Sequence, residues 1–474
     1  MTPMLEHSTG GAGATSARGK PAARRIVAAI VAFALLRGVA WAYMIPPLQA
    51  PDEPSHMLFV AQLRANGALP IAFIVRQDRL GRGSTTRPPA MRAYLADHGY
   101  TTFLSQPYES TQAPLYYVLC ALATWPLPND PETLLYGCRL VSALLGALAV
   151  FAAARAAATL APDRRAFVVG VPLALALWPQ FGFQAATVSN DIALDLAGAV
   201  LAWAWAAAAQ SRSGRWPLII GALTGLGVLT KLTAVTTLPG SALVLLGRAR
   251  AGRVALPRLL RDGVVAGSVA LLLAGPWLVR NQLVYGEPTG SAQVFSVYHT
   301  IYTSRLHLPE TTRIIVPPLD QFSWYSFSSF WAVFGWRGVY LPTPFGGHNA
   351  PFLEQAVPFY LLAAALTALG VGGSLAWAVR RLRARAPLPP SLGWPLAAYA
   401  VTAVAAVASL MLYNLTTDGQ PQGRYTFVAL VPFCVIGVGG ALHATRSPRL
   451  NNILAAAGLA ILVVLQLASW WALS

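Results

Sequence analysis

Long apolar runs recur along the chain, separated by short segments that hold many of its arginines. A helix needs about 20 apolar residues to cross the ~30 Å hydrocarbon core, and about 17–25 are tolerated. The pattern predicts spans at 26–45, 140–158, 166–188, 192–209, 216–230, 232–247, 263–279, 356–379, 392–413, 426–444 and 452–472. This is an all-α polytopic membrane protein with about 11 transmembrane helices. The pair 216–230 and 232–247 is short, with only Lys231 between its members, and reads as two thin helices or one broken hairpin. Pro114–Leu127 is apolar enough to span, but a helix of this length reaches only about 21 Å at ~1.5 Å per residue.

Composition supports the membrane reading. Of 474 residues, 55% are hydrophobic and 11% charged, with a mean hydropathy of +0.53. A soluble domain carries about 25% charge. The formal charge of +17 suits nucleic acid in principle, but the arginines cluster between apolar runs, so topology explains them and no nucleic-acid partner is implied. The three cysteines, Cys120, Cys138 and Cys434, have no metal-ligand spacing and imply no disulfide framework.

Alternate connections are basic. Arg18, Lys20, Arg24 and Arg25 precede the first span, and Arg164–Arg165, Arg212/Arg215, Arg248–Arg261, Arg380–Arg385 and Arg446/Arg449 fill later loops. Together they hold 19 of the 34 basic residues. Positive charge in short loops marks the cytoplasmic side, which predicts the amino terminus inside and the carboxyl terminus outside. A span at 114–127 would invert everything after it, so that segment is expected as a re-entrant or interfacial helix on the outer face. The organisation is then a basic cytoplasmic tail, 1–25, and a single transmembrane domain, 26–474, with long outer segments at 46–139 and 280–355. Loops this long are uncommon unless functional.

The first outer segment opens with Pro51-Asp52-Glu53-Pro54-Ser55-His56. Adjacent carboxylates near low dielectric have the makings of a general base, although an Asp cap with a solvated Glu beside it is the plainer reading. Ser189-Asn190-Asp191 forms a second cluster, with Asp195 one turn on. Asp195 lies inside a span and calls either for a direct substrate role or for pairing with Arg37 in the first span. Lys231, Arg280 and Arg424 are the basic residues of interest on the outer side. Each alone reads as snorkelling to headgroups; three with the acids point to an anionic ligand.

Pro46–Pro70, Pro114-Leu115-Tyr116-Tyr117, Ser189-Asn190-Asp191, Leu229-Thr230-Lys231, Arg280-Asn281 with Tyr285-Gly286, Ser329-Phe330-Trp331 with Phe334-Gly335-Trp336, and Gln422–Tyr425 occur in this order. In that order the chain resembles the GT-C membrane glycosyltransferases, among them protein O-mannosyltransferases and lipid A aminoarabinose transferases, and a poorly characterised bacterial GT-C-like family most of all. The resemblance implies a multi-pass protein of the bacterial cytoplasmic membrane that moves a sugar from a polyprenyl-phosphate donor to a hydroxyl on an envelope glycan, lipid or protein. It implies catalytic roles for Asp52, Glu53 and Asp191, and donor-phosphate binding by Lys231, Arg280 or Arg424. His56, Asn190, Tyr116 and Tyr425 fall in supporting positions. His56 lies three residues after Glu53, whereas the mannosyltransferases place histidine two residues after the pair. No cofactor is certain, and a divalent metal is left open. The rival class is a transporter or flippase of a lipid-linked glycan, for which short, interrupted helices also speak. A non-catalytic assembly partner is the third.

Overall fold

Once water is excluded, a chain must satisfy its backbone N–H and C=O groups internally, and apolar runs therefore fold as helices. A computed structural model describes residues 12–71, 88–100, 108–290, 292, 319–334, 350–416 and 421–473, and its regular structure there is helical. The first outer segment holds four helical pieces: α2 (Glu53–Asn66), α3 (Pro89–Asp97), a 3-10 turn (Tyr108–Thr111) and α4 (Leu115–Thr124), following α1 (Ala12–Met44). Next come α5 (Pro131–Leu160), α6 (Arg165–Ala176), α7 (Pro179–Gln184), α8 (Asp191–Gln210), α9 (Trp216–Val228), a 3-10 turn (Leu232–Thr237), α10 (Leu238–Arg250) and α11 (Arg258–Tyr285). The last part comprises α12 (Leu319–Trp331), α13 (Ala350–Arg383), α14 (Pro390–Thr416), a 3-10 turn (Gly423–Ala429), α15 (Leu430–Leu442) and α16 (Pro448–Leu473). Much of 280–355, including Gly335 and Trp336, lies outside the described residues.

Among the described residues, nine helical segments are long and apolar enough to cross a membrane, where eleven spans were expected. Two expectations account for the difference. The stretch 166–188 divides into α6 and α7 because Pro179 disfavours helical backbone in the residue before it, and Trp178 is extended (φ −73°, ψ 117°). The stretch 216–230 stops as a helix at Val228, and Lys231 is extended at φ −159°. The pair around Lys231 is therefore a broken element, with α9 packed along α11. Gly221 and Gly225 permit that packing, since a Cβ at either position would run into the backbone of Ala266 or Ala270. At 114–127, α4 has ten residues, about 15 Å at ~1.5 Å each and about half the hydrocarbon core.

The pairing of Arg37 with Asp195 does not occur. Arg37 donates to the carbonyl of Ala176, the last residue of α6, and lies over Trp41 and Phe181, 5.5 and 6.0 Å from the ring centroids. The helix break supplies this arginine with a carbonyl that has no helical partner, and no carboxylate pairs with it among the described residues.

The charge pattern gives a testable orientation. With the three buried native cysteines replaced by serine or alanine, a cysteine at exposed Asn129 should react with an impermeant thiol reagent in intact cells. Cysteines at exposed Asp163 and Gly214 should react only after permeabilisation. Reversed labelling would invert the assignment.

Candidate active site

The site begins with a buried ion pair. Arg139 on α5 and Glu53 at the start of α2 are both fully buried. Arg139 Nε and Nη2 donate to the two Glu53 carboxylate oxygens at 2.9 and 2.7 Å. Its remaining donors reach the carbonyls of Ala42, Ile45 and Pro46 at 2.7, 2.6 and 3.0 Å, groups at and just beyond the end of α1. Glu53 also accepts the Val188 N–H at 2.9 Å. The guanidinium thus ties α1, α2 and α5 together, and through Glu53 the loop that leads into α8 joins them. The sequence analysis placed Glu53 among the catalytic acids, but its carboxylate points into this clamp and away from the cavity described next.

That clamp sets out the residues on either side of it. Asp52 has left-handed backbone (φ 64°, ψ −4°) and its side chain makes no capping bond, so it is not a simple helix cap. Its backbone carbonyl instead accepts the N–H groups of Ser55 and His56 at 3.0 Å each. A left-handed non-glycine residue costs about 1–3 kcal/mol and persists only where surroundings impose it. The Asp52 carboxylate faces Arg424, with Nη2 to Oδ2 at 3.6 Å. Arg424 is held by Gln422, which accepts from its Nε at 2.7 Å. Gly423 must be glycine because a Cβ would strike the Ser326 carbonyl and Phe330 on α12; its N–H donates to Ser329 Oγ at 2.7 Å.

Asp191, three residues past Val188, pairs with Lys231. The broken backbone that presents Lys231 is tied down twice. Leu229 accepts the Leu115 N–H at 2.9 Å, and Thr230 accepts from Asn190 Nδ2 at 3.3 Å. The Lys231 ammonium also lies 4.9 Å from the Tyr425 ring centroid. These groups face a cavity of about 680 Å³ lined by Asp52, His56, Glu109, Asn190, Asp191, Lys231 and Tyr425, with apolar walls from Val228, Leu232, Val235, Leu278 and Leu410. That volume suits a small-molecule site.

Tyr116, Arg280 and Arg424 stand apart from the lining. Tyr116 is buried, bonded to Ser142 Oγ at 2.8 Å and accepting the Ser189 N–H at 3.2 Å, so it braces the Asp191 loop. Arg280 lies over Trp277 and Tyr285 and donates to the Pro70 carbonyl at 2.7 Å. Among the described residues no group of three or more His, Cys, Asp or Glu has the arrangement to hold a metal ion.

Sequence reasoning passed over Glu109, which the 3-10 turn at 108–111 brings to the cavity. Its N–H donates to Ser55 Oγ at 3.1 Å. Burial, then the nearby Asp52, raise its carboxyl to about 8 against the opposing pull of Lys231. The only signal available was its place five residues before Pro114-Leu115-Tyr116-Tyr117. His56 sits beside it in the cavity wall and shares a 2.8 Å bond between its Nδ1 and Tyr117 Oη. Burial, helped by Lys231 and Arg424 and opposed by Asp191, lowers the imidazole to about 3, so it is neutral. For Lys231, burial lowers the ammonium, but Asp191 outweighs it and the net direction is upward.

Residues 132–279 match the family described as dolichyl-phosphate-mannose-protein mannosyltransferase. This stretch is similar to that family, in line with the resemblance read from the residues. It runs from the first turn of α5 nearly to the end of α11 and includes Arg139, Asp191 and Lys231. Two solved structures of ArnT from Cupriavidus metallidurans, one bound to undecaprenyl phosphate and one in the apo state, are similar at 16% identity with TM-scores of 0.48 and 0.49. The alignments cover 90% and 91% of this chain, which spans 62% of the length of either ArnT chain. No curated protein matches.

Two outcomes separate scaffold from chemistry. Breaking a buried ion pair costs about 3–5 kcal/mol, so Glu53→Gln should lower the yield and melting temperature of purified protein. Wild-type melting would show that the clamp is dispensable. The second outcome concerns pH. A carboxyl whose folded value is about 8 holds its proton more tightly folded than unfolded, which favours the fold most below the unfolded value, about 4.3. That contribution falls as pH rises towards 8. The melting difference between Glu109→Gln and wild type should therefore move in the variant's favour from pH 5 to pH 8. A constant difference would place Glu109 in ordinary solvent.

Proposed function

We propose that this chain is a membrane glycosyltransferase that moves a sugar from a polyprenyl-phosphate donor to a hydroxyl acceptor at the outer face of the cytoplasmic membrane, with inversion. The observation that carries this reading is the cavity, which joins Asp52, Asp191 and Lys231 to apolar walls from helices long enough to cross a membrane. A lipid-linked phosphate needs both parts: a cation for the phosphate and an apolar path for the chain. The family match over 132–279 supports the same donor class.

In this mechanism Asp52 accepts the hydroxyl proton while the acceptor oxygen attacks the anomeric carbon. The bond from that carbon to the phosphate oxygen breaks, and its electron pair leaves with the polyprenyl phosphate. Lys231 meets the charge that grows on the leaving oxygen, an interaction strongest in a site shielded from water. Arg424 holds the Asp52 carboxylate in place, and Asp191 holds Lys231 until a phosphate shares it. Asn190 and Tyr425 line the same chamber and frame Lys231. Arg280, packed against Trp277 and Tyr285, is left out of this scheme.

Asp52→Asn keeps the shape and removes the basicity. General-base assistance contributes about 10²- to 10⁴-fold, and turnover from a polyprenyl-phosphate sugar should fall by that order in protein with wild-type melting. Lys231→Ala should weaken donor binding as well as turnover. Undiminished transfer by folded Asp52→Asn protein would remove the base from the mechanism. Movement of a lipid-linked glycan without any sugar transfer would replace the enzyme with a transporter.

A further inference from the structure

A second cavity, of about 790 Å³, shares no residue with the first. It lies among α1, α6, α13, α15 and α16 and is apolar along most of its wall. On α16 the lining runs from Asn452 to Leu462, about 15 Å at ~1.5 Å per residue. That is the depth of one leaflet, half of the ~30 Å hydrocarbon core. The two ends differ in chemistry. One is closed by aromatic rings, with Trp178 and Trp331 stacked at 4.3 Å between centroids. At the other, Ile26, Arg165, Leu442 and Asn452 line the mouth. Arg25 adjoins Ile26, Arg164 adjoins Arg165, and Arg446 and Arg449 lie between Leu442 and Asn452, all of them exposed. Against these five arginines stands one nearby acid, the exposed Asp163.

We propose that this groove binds one anionic phospholipid of the bilayer, with an acyl chain along α13, α15 and α16 and the headgroup phosphate on Arg165. A leaflet-deep apolar slot selects an acyl chain, and a basic rim at its mouth selects an anionic headgroup. Arginines that merely snorkel would meet headgroups at an unbroken helical surface; here the cation stands at the opening of a slot. Glycines keep the slot open. At Gly437, which lines it, an added Cβ would meet no atom within 4 Å, so a larger side chain there fills the cavity without displacing a neighbour at its first carbon. The groove is independent of the sugar-transfer reading, and neither stands or falls with the other.

The test uses full-length protein, stripped of lipid in detergent and incubated with vesicles of equal phosphatidylglycerol and phosphatidylcholine. Retained lipid is counted by native mass spectrometry. Wild type should keep one phosphatidylglycerol in preference to phosphatidylcholine. Gly437→Leu should lose it while retaining the wild-type melting curve. Gly458→Leu, on the facing wall, should do the same; its Cβ meets only Leu366 and Leu369 at ordinary contact distances of 3.4 and 3.7 Å, which guards against a misfolded first variant. Arg165→Gln should keep a lipid but lose about five-fold of the anionic preference, the order expected for one basic residue at an anionic surface. Equal retention of both lipids, retention unchanged by both cavity-filling variants, or a dimer that buries the groove in place of lipid would each overturn the proposal.

Discussion

The arrangement of the candidate site depends on how one buried guanidinium is satisfied. Arg139 carries five N–H donors and no acceptor, and it is fully shielded from solvent. An arginine in that position is tolerable only with a matched set of acceptors. The chain provides the Glu53 carboxylate and three carbonyls around the end of α1. Those carbonyls lie in or just past the last turn of α1, which ends at Met44, so satisfying the arginine and terminating the helix are one event. Because Glu53 also receives Val188 N–H, the same event sets the loop before Asp191. Asp52 and Asp191 are therefore neighbours of the clamp in sequence, one residue before Glu53 and three after Val188. Two segments far apart along the chain deliver their acids to one chamber because the Glu53 carboxylate, held by Arg139, also takes the Val188 N–H.

Within the chamber, charges are matched locally. Arg424 faces Asp52 and Lys231 faces Asp191, while Glu109 is kept largely protonated at neutral pH by burial and by Asp52. This limits the free charge in a space walled by Val228, Leu232, Val235 and Leu410. An incoming phosphate would add negative charge beside Lys231, where the lysine has a carboxylate and an aromatic face as its other partners. A Lys ammonium is a compact charge with three donors, enough to serve Asp191 and a phosphate together. Arg424 donates to Gln422 and faces Asp52, and Gly423 beside it packs closely against α12.

Much of the fold was legible in the apolar pattern, because segment length and hydropathy are set by the bilayer and not by partners elsewhere in the chain. What the pattern missed depends on tertiary contacts. Stretch 166–188 is mostly apolar, yet Pro179 breaks it, and the break then supplies the carbonyl to which Arg37 donates. Asp52, Asp191, Lys231 and Arg424 were legible as polar residues next to helix ends, and the structure gathers them. Glu53 looked identical to Asp52 by that criterion. Only the distant Arg139 separates their roles. Glu109 carried no local signature, since its proximity to Asp52 comes from a 3-10 turn meeting Ser55.

The location of the chamber follows from the solvent. Non-helical backbone at membrane depth is tolerated only where protein buries it or where it lines a cavity. This chain breaks its apolar stretches before Lys231 and between α6 and α7, and it enters the segment at Gly423 through a 3-10 turn. Lys231 and Arg424 stand at the starts of the 3-10 turns Leu232–Thr237 and Gly423–Ala429, which contact each other and pack beside α8. The break between α6 and α7 receives Arg37 on the Ala176 carbonyl and packs the Trp178–Trp331 stack beside it. Lys231 and Arg424 accordingly stand beside the starts of two 3-10 turns, and the acids opposite them arrive on the helix starts that the Arg139 clamp holds in place.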